Sequence, residues 1–275
     1  MQGSYELSQV DFDELRQLVK THTGIALSAS KQEMVKRRFT SRVRTLGLDG
    51  FRAYIRYLHG HPEDELVELA NAITTNLTSF FRERHHFDYL SSEVVPQLLQ
   101  TQRATRRIRV WCSAASTGQE PYSIAMTLLD AIPDISAWDL RLLATDISHQ
   151  CLEQARRGVY ALDQLDPVPV ALRTRWFQRG AGANAGKAKV RDELRRRVRF
   201  EALNLIGKWP ISGPVDVIFC RNVFIYFDKE QQRQIMERYA RLQPSGAYLF
   251  LGHSESLHNL SRDYSLVGQT VYRRI

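Results

Sequence analysis

The chain has 275 residues, 43% hydrophobic and 25% charged, which is enough for one large or two modest domains with true cores and excludes a disordered chain. Cys112, Cys151 and Cys220 are odd in number and not spaced as ligands, arguing against a disulfide framework or a zinc site; no metal is expected, and with no apolar run near the roughly 18 residues that cross a bilayer and no secretory pattern in MQGSYELSQVD, a cytoplasmic protein without membrane insertion is expected. A net charge of +8 implies an acidic partner without choosing among nucleic acid, anionic lipid and an acidic protein surface.

From Asp11 to about Leu90 the pattern is helical throughout, with breaks at Thr23-Gly24, Gly47 to Gly50 and Gly60 to Pro62. The expectation is a helical domain over 1–75 and a linker over 76–90. In the helix near Lys31 to Leu46, Val35, Phe39, Val43 and Leu46 share one face at about 100° per residue. Arg37 and Arg44 project from the opposite side, and Arg38 and Arg42 flank the apolar stripe. A solvated outer face and a partner-binding face are both open readings. The segment TTNLTSFFRERHHF at 74–87 then gathers Asn76, Thr78, Phe80, Phe81 and Arg82 at a domain junction, a common place for a ligand. The same residues also read as a helix start capped by Thr78 or Ser79 with packing phenylalanines. His85 and His86, being adjacent, lack the i, i+4 spacing with which one helix face chelates a metal.

Beyond about Ser91, apolar runs at 108–112, 140–145, 215–220 and 247–252 alternate with helical stretches near 121–131, 147–157 and 229–242, the grammar of a parallel, doubly wound sheet. After the first run, the loop Ser113 to Gly118 (including Ala114) is made of small residues that let a ligand approach the backbone. Pro121 suits a first helical position, placing Glu120 at the helix entrance. Neither GxGxxG nor GxxxxGK[ST] is present, so dinucleotide and nucleoside triphosphate readings lack their phosphate cradle. The second run ends at Thr145 and Asp146, where such folds meet ribose hydroxyls. Acids at two neighbouring strand ends suggest S-adenosylmethionine, although each alone also reads as a cap or turn residue.

The stretch from Arg173 to Asn204 breaks the alternation and resembles an inserted antiparallel subdomain, placed at about 173–202. In EALNLIG, Asn204 and Leu205 follow a strand in the manner of residues that read an adenine edge, or of an ordinary turn. In VDVIFCRNVFIYFD a buried strand runs into Arg221, Asn222, Tyr226 and Asp228, where chemistry sits in open sheets. Tyr226 and Phe227 read equally as core aromatics. YSLVGQTVYRRI reads as an edge hairpin turning near Gly268-Gln269.

Taken in order, TNLTSFFRE, SAASTGQEPYSIAMTL, ATDIS, FCRNVFIYFD and GHSESL resemble the CheR family of chemoreceptor glutamate O-methyltransferases over nearly the whole chain. The resemblance implies an α/β protein: a small all-helical N-terminal domain, then a doubly wound, Rossmann-like S-adenosylmethionine methyltransferase sheet over 91–275 with an inserted antiparallel β-subdomain. It implies cofactor contacts from Asn76, Thr78, Arg82, Ala114, Glu120, Asp146, Asn204, Leu205, Arg221 and Asn222, with Arg82 and Tyr226 nearest the transferred methyl. The products would be glutamyl methyl esters and S-adenosylhomocysteine. Arg37, Arg38, Arg42 and Arg44 would approach the cytoplasmic methylation helices of receptors; the subdomain holds a receptor C-terminal peptide in some members, a use for which GAGANAGKAK offers few distinctive side chains. No nucleic-acid partner is expected. A nucleic-acid methyltransferase, the rival that the charge favours, is expected to carry an NPPY-like strand end where this chain has RNVFIYF. A noncatalytic module that senses S-adenosylmethionine is the second rival.

Overall fold

The change of pattern along the chain corresponds to a physical division. A computed structural model describes residues 5–73 and 77–275, which form a helical unit, joined by Ile225–Gln231, and an α/β unit holding the rest. In the helical unit, α1 (Gln9–Thr23) starts at Ser8, whose hydroxyl oxygen accepts the Asp11 N–H at 3.1 Å, and stops at Gly24 in the left-handed region. It is followed by α2 (Gln32–Thr45), α3 (Phe51–Gly60) and α4 (Pro62–Ile73). The apolar stripe predicted for α2 is buried at Val35, Phe39 and Val43, with Phe12, Leu15, Tyr54 and Leu69 completing the core.

Arg42 is drawn into this unit. Its guanidinium donates to both oxygens of Glu65, at 2.9 and 2.6 Å, and the Tyr54 hydroxyl donates to the same carboxylate at 2.9 Å. Burial works to raise the Glu65 carboxyl, but Arg42 and Tyr54 outweigh it and hold it below its ordinary value. Glu65 is 3% exposed, so Arg42→Ala leaves a buried carboxylate without its cation. The expected cost is about 2–3 kcal/mol, moderated because Arg42 itself is partly solvated, and is read as a lower urea midpoint with an unchanged slope.

The α/β unit opens with α5 (His85–Tyr89), a π-helical turn over 90–94 and α6 (Val95–Thr101), and continues through β1 (Arg107–Cys112), α7 (Gln119–Ala131), β2 (Asp139–Asp146) and α8 (His149–Arg157). Then come β3 (Val159–Ala161), α9 (Val170–Trp176), β4 (Phe177–Arg179), β5 (Lys187–Val190), α10 (Asp192–Arg195) and β6 (Val198–Ala202). The chain ends with β7 (Val217–Cys220), α11 (Lys229–Leu242), β8 (Tyr248–Leu251), β9 (Tyr264–Gly268) and β10 (Val271–Arg274). The main sheet runs β6-β2-β1-β7-β8-β10-β9, its first five strands parallel and the β9–β10 hairpin antiparallel at the edge. Phe219 and Phe250 stack at its centre with ring centroids 4.2 Å apart.

The inserted subdomain differs in extent from the sequence reading of 173–202. Its sheet is β3-β5-β4 and begins at Val159, whereas Val198–Ala202 is the parallel edge strand of the main sheet. VYA is too short to show an alternation, and the charged alternation of VRFEA comes from a main-sheet strand with one polar face. The described part of the expected linker, 77–90, groups with the α/β unit.

Candidate active site

The sheet order places the carboxyl ends of β1, β2 and β7 side by side, where open α/β sheets bind ligands. β7 runs directly into Arg221, which is 3% exposed. Its Nη1 donates to Glu120 Oε2 at 2.5 Å, and its Nη2 lies 2.5 Å from the Arg82 carbonyl oxygen and 3.1 Å from Glu83 Oε2. Its Nε is buried without a partner. Glu120 is the second residue of α7, which starts behind Gly118 in the left-handed region; Pro121 is therefore third, not first, still within the turn whose N–H groups lack helical partners. A Cβ on Gly118 would come within 2.7 Å of the Tyr160 hydroxyl, which explains the glycine.

Charge balance defines this cluster. Burial pushes the Glu120 carboxyl above its ordinary value, against the pull of Arg221. The Cys112 thiol donates to Glu120 Oε1 at 3.3 Å, and burial followed by the Glu120 charge keeps that thiol protonated. Burial also acts to raise Glu83, but Arg221 together with the His253 backbone N–H and ring holds it down near about 2. Asn222 Nδ2 donates to Glu83 Oε1 at 3.3 Å.

Asp146 ends β2 and accepts the Ser116 N–H at 2.7 Å and the Ser148 N–H at 2.9 Å, fixing the small-residue loop that contains Ala114. The Ile147 N–H also donates to this carboxylate, which leaves one of its roughly four lone-pair sites for a ligand hydroxyl. β6 ends at Ala202, which pairs with Asp146, so Asn204 and Leu205 follow the neighbouring strand end. Asn204 Oδ1 accepts the Ile206 N–H at 3.1 Å, which is the turn reading; Leu205 is buried.

Glu120, Arg221, Asn222 and the Arg82 backbone thus form one cluster, with Ala114 and Asp146 beside it. Thr78 lies half-buried in 77–79, which has no regular secondary structure, and the Arg82 side chain donates to the Leu77 carbonyl at 2.8 Å. Asn76 falls outside the described residues. Tyr226 belongs to the helical unit, against whose core it packs, and its carbonyl accepts the Ala26 N–H at 2.8 Å. On α2, Arg37, Arg38 and Arg44 are exposed, Arg44 with its guanidinium 4.9 Å from the Tyr5 ring, whereas Arg42 is held by Glu65.

Three participants were not singled out from sequence. Glu83 stands inside FFRERHHF, but its role depends on positive φ at Phe81 and Glu83, which no side-chain pattern announces. The Cys112 thiol reads as a core residue. Glu255, in GHSESL, accepts the N–H groups of Gly252, Asn222 and Phe224 at 2.6 to 2.9 Å and so ties the loop after β8 to the loop after β7. The same bend corrects the histidine reading: ligand atoms of Glu83, His85 and His86 lie within 4.8 Å of one another despite lacking i, i+4 spacing. Glu83 is already engaged by Arg221 and His253, and His86 Nε2 by the Gln269 carbonyl and the Thr270 hydroxyl, whereas His85 Nε2 and His86 Nδ1 are buried with no hydrogen-bond partner among the described residues.

Glu83 and Glu120 on the Arg221 guanidinium, with Asp146 at the neighbouring strand end, leave a local excess of carboxylate, which fits a sulfonium and ammonium ligand and disfavours a phosphate. The half-buried Ala114 and Ser116 leave room for close approach. Sheet order, carboxylates at adjoining strand ends and the missing phosphate cradle describe an S-adenosylmethionine-dependent methyltransferase. Family models agree: "CheR methyltransferase, all-alpha domain" matches residues 10–74 and "CheR methyltransferase, SAM binding domain" matches residues 76–273. The chain belongs to the CheR methyltransferase family. It is 44% identical over 270 residues to chemotaxis protein methyltransferase 2 of Pseudomonas aeruginosa, covering 98% of this chain and 94% of that one. A probable chemotaxis protein methyltransferase of Rhizobium etli is 41% identical over 259 residues (93% and 96% covered), and the chemotaxis protein methyltransferase of Escherichia coli 42% over 269 (97% and 91%). Among the described residues no helix is long and apolar enough to cross a membrane.

Proposed function

We propose that this chain methylates glutamate side chains on the cytoplasmic methylation helices of chemoreceptors, giving glutamyl methyl esters and S-adenosylhomocysteine. The observation that carries the reading is Arg221 held between Glu120 and Glu83 where the central parallel strands end. S-adenosylmethionine, when bound, supplies an electrophilic methyl on a sulfonium. Glu120 and Asp146 would hold its amine and ribose, Ala114 would admit it, and Asn204 and Leu205 would read its adenine. Arg221 holds Glu120 in place and opposes the effect of burial on its carboxyl, and Asn222 is oriented by Glu83 and Glu255.

The acceptor needs no strong base, because a glutamate with a pKa of about 4.3 is already a carboxylate at neutral pH. Catalysis then rests on alignment and water exclusion, and alignment alone can supply roughly 7–11 kcal/mol. Arg82, with one donor spent on Leu77, keeps further N–H groups for a carboxylate. Arg37, Arg38 and Arg44 present cations suited to an acidic helix, whereas Arg42 serves the helical unit internally.

The direct test is labelled S-adenosylmethionine with receptor-containing membranes, followed by base treatment. Base-labile label on receptor is expected. Label on nucleic acid, or cofactor binding with no transfer to cognate receptors, would overturn the reading. Arg82→Ala is expected to lower transfer on the order of 100-fold, the scale of a misaligned reactant, and near-normal transfer would remove Arg82 from the site. Receptors lacking their C-terminal tail, assayed in parallel, measure any contribution of a peptide held by the three-stranded sheet.

A further inference from the structure

The parallel strands at one end of the main sheet have an unusual composition. Parallel strands are commonly covered on both faces and read as continuous apolar runs. Here RIRVWC, DLRLLATD and VRFEA alternate: Ile108, Val110, Leu140, Leu142, Val198 and Phe200 point into the core, while Arg109, Arg141 and Arg199 occupy the opposite face. Arg109 and Arg141 stand directly opposite each other in the register, an arrangement of like charges that costs stability. Asp139 answers both of them, and Glu201 answers Arg199 at 2.7 Å.

This face forms the floor of a groove of about 790 Å³, walled by the segment that joins β6 to β7. Arg107, Arg109, Arg141, Arg196, Arg197 and Arg199 line it against the carboxylates of Asp139 and Glu201, so its lining is strongly cationic. Arg107, Arg196 and Arg197 make no ion pair among the described residues. Apolar surface lies between the cations, from Leu143, Ile211 and Val215. The aromatic ring in the lining, Trp111, is 1% exposed and packed edge-on against Trp209 and Tyr239, which leaves it no face for stacking a base.

We propose that this groove docks an acidic segment of a protein partner, with apolar side chains seated between carboxylates that the arginines receive. Guanidinium forks match carboxylates in two-point geometry, and interleaved apolar surface discriminates such a segment from a bare polyanion. The site is separate from the strand-end cluster, and the proposal stands whatever substrate that cluster methylates.

The probe is a fluorescein-labelled 15-residue peptide repeating Glu-Glu-Leu, titrated by fluorescence anisotropy with the full chain at low and physiological salt. Binding is expected to weaken at least tenfold in an Arg107→Glu, Arg196→Glu, Arg197→Glu variant and less than twofold in an Arg56→Glu, Arg103→Glu variant, whose exposed cations lie outside the groove lining. A Gln-Gln-Leu peptide should not bind. Unchanged affinity in the triple variant overturns the proposal, as does tighter binding of a single-stranded oligonucleotide of equal length that the same variant abolishes. A photo-crosslinking form of the peptide, mapped on the unaltered chain, gives a reading that does not depend on the variant folding: adducts within 139–143 or 196–215 support the groove, and adducts confined to 32–45 refute it.

Discussion

Arg221→Met is expected to destabilise the protein by about 3–5 kcal/mol and to abolish measurable cofactor binding. Methionine retains much of the bulk, so the loss isolates the charge. Without the guanidinium, Glu120 and Glu83 must either stay charged without a cation or take up a proton, and removing one partner of a buried ion pair costs far more than the pair contributes when intact. The Arg82 carbonyl also loses its donor, which releases the segment that carries Arg82. Glu120→Gln alone is expected to cost less, because burial already disfavours its charge. Added to Arg221→Met, Glu120→Gln should recover part of the lost stability without restoring cofactor binding, a coupling that a double-mutant cycle in urea and isothermal titration would show. If Arg221→Met loses less than 1 kcal/mol and still binds S-adenosylmethionine, the arginine does not organise this site.

The parts of this arrangement that were legible in sequence are those set by local chemistry. The β1, β2, β7 and β8 strands and α7, α8 and α11 fall within a few residues of their apolar patterns, because each pattern reports burial directly. Glu120 and Asp146 could be placed because a strand followed by a small-residue loop fixes where the next carboxylate stands. The pairing of Glu120 with Arg221 and Glu83 was not legible, since it joins positions about 100 and 37 residues away through sheet order and through two residues at positive φ. The inserted sheet was misplaced at its start because VYA carries no periodicity of its own and becomes a strand only beside β5. Arg42 illustrates the same limit in the helical unit. Its helical phase shows that it flanks the core, but only tertiary packing shows the buried Glu65 that takes its charge.

Acidification is expected to destabilise the fold well before the acceptor glutamates themselves titrate, with His86 as a principal source. His86 is fully buried; its Nε2–H points to the Gln269 carbonyl and the Thr270 hydroxyl oxygen at the turn between β9 and β10. Burial, then the charges of Arg221 and His85, lower its pKa from 6.5 to about 3. A histidine held neutral in the fold takes up a proton only on unfolding across that interval. Its stabilisation is therefore complete above about pH 6.5 and is lost progressively as the pH falls toward 3. Between pH 6.5 and 4.5 the loss is about 2–3 kcal/mol, two units at roughly 1.4 kcal/mol each. Glu83 adds to it lower down: its folded pKa is depressed to about 2, so its contribution is present above about 4.5 and fades below. His86→Gln keeps an N–H donor for the turn but cannot titrate. It should start less stable at pH 7.5 and show a distinctly flatter dependence between pH 6.5 and 4.5, measured as urea unfolding free energies at unit pH intervals. Parallel slopes for the two proteins would mean that His86 is solvated or charged in the native state, and the neutral, buried contact between α5 and the β9–β10 turn would have to be abandoned.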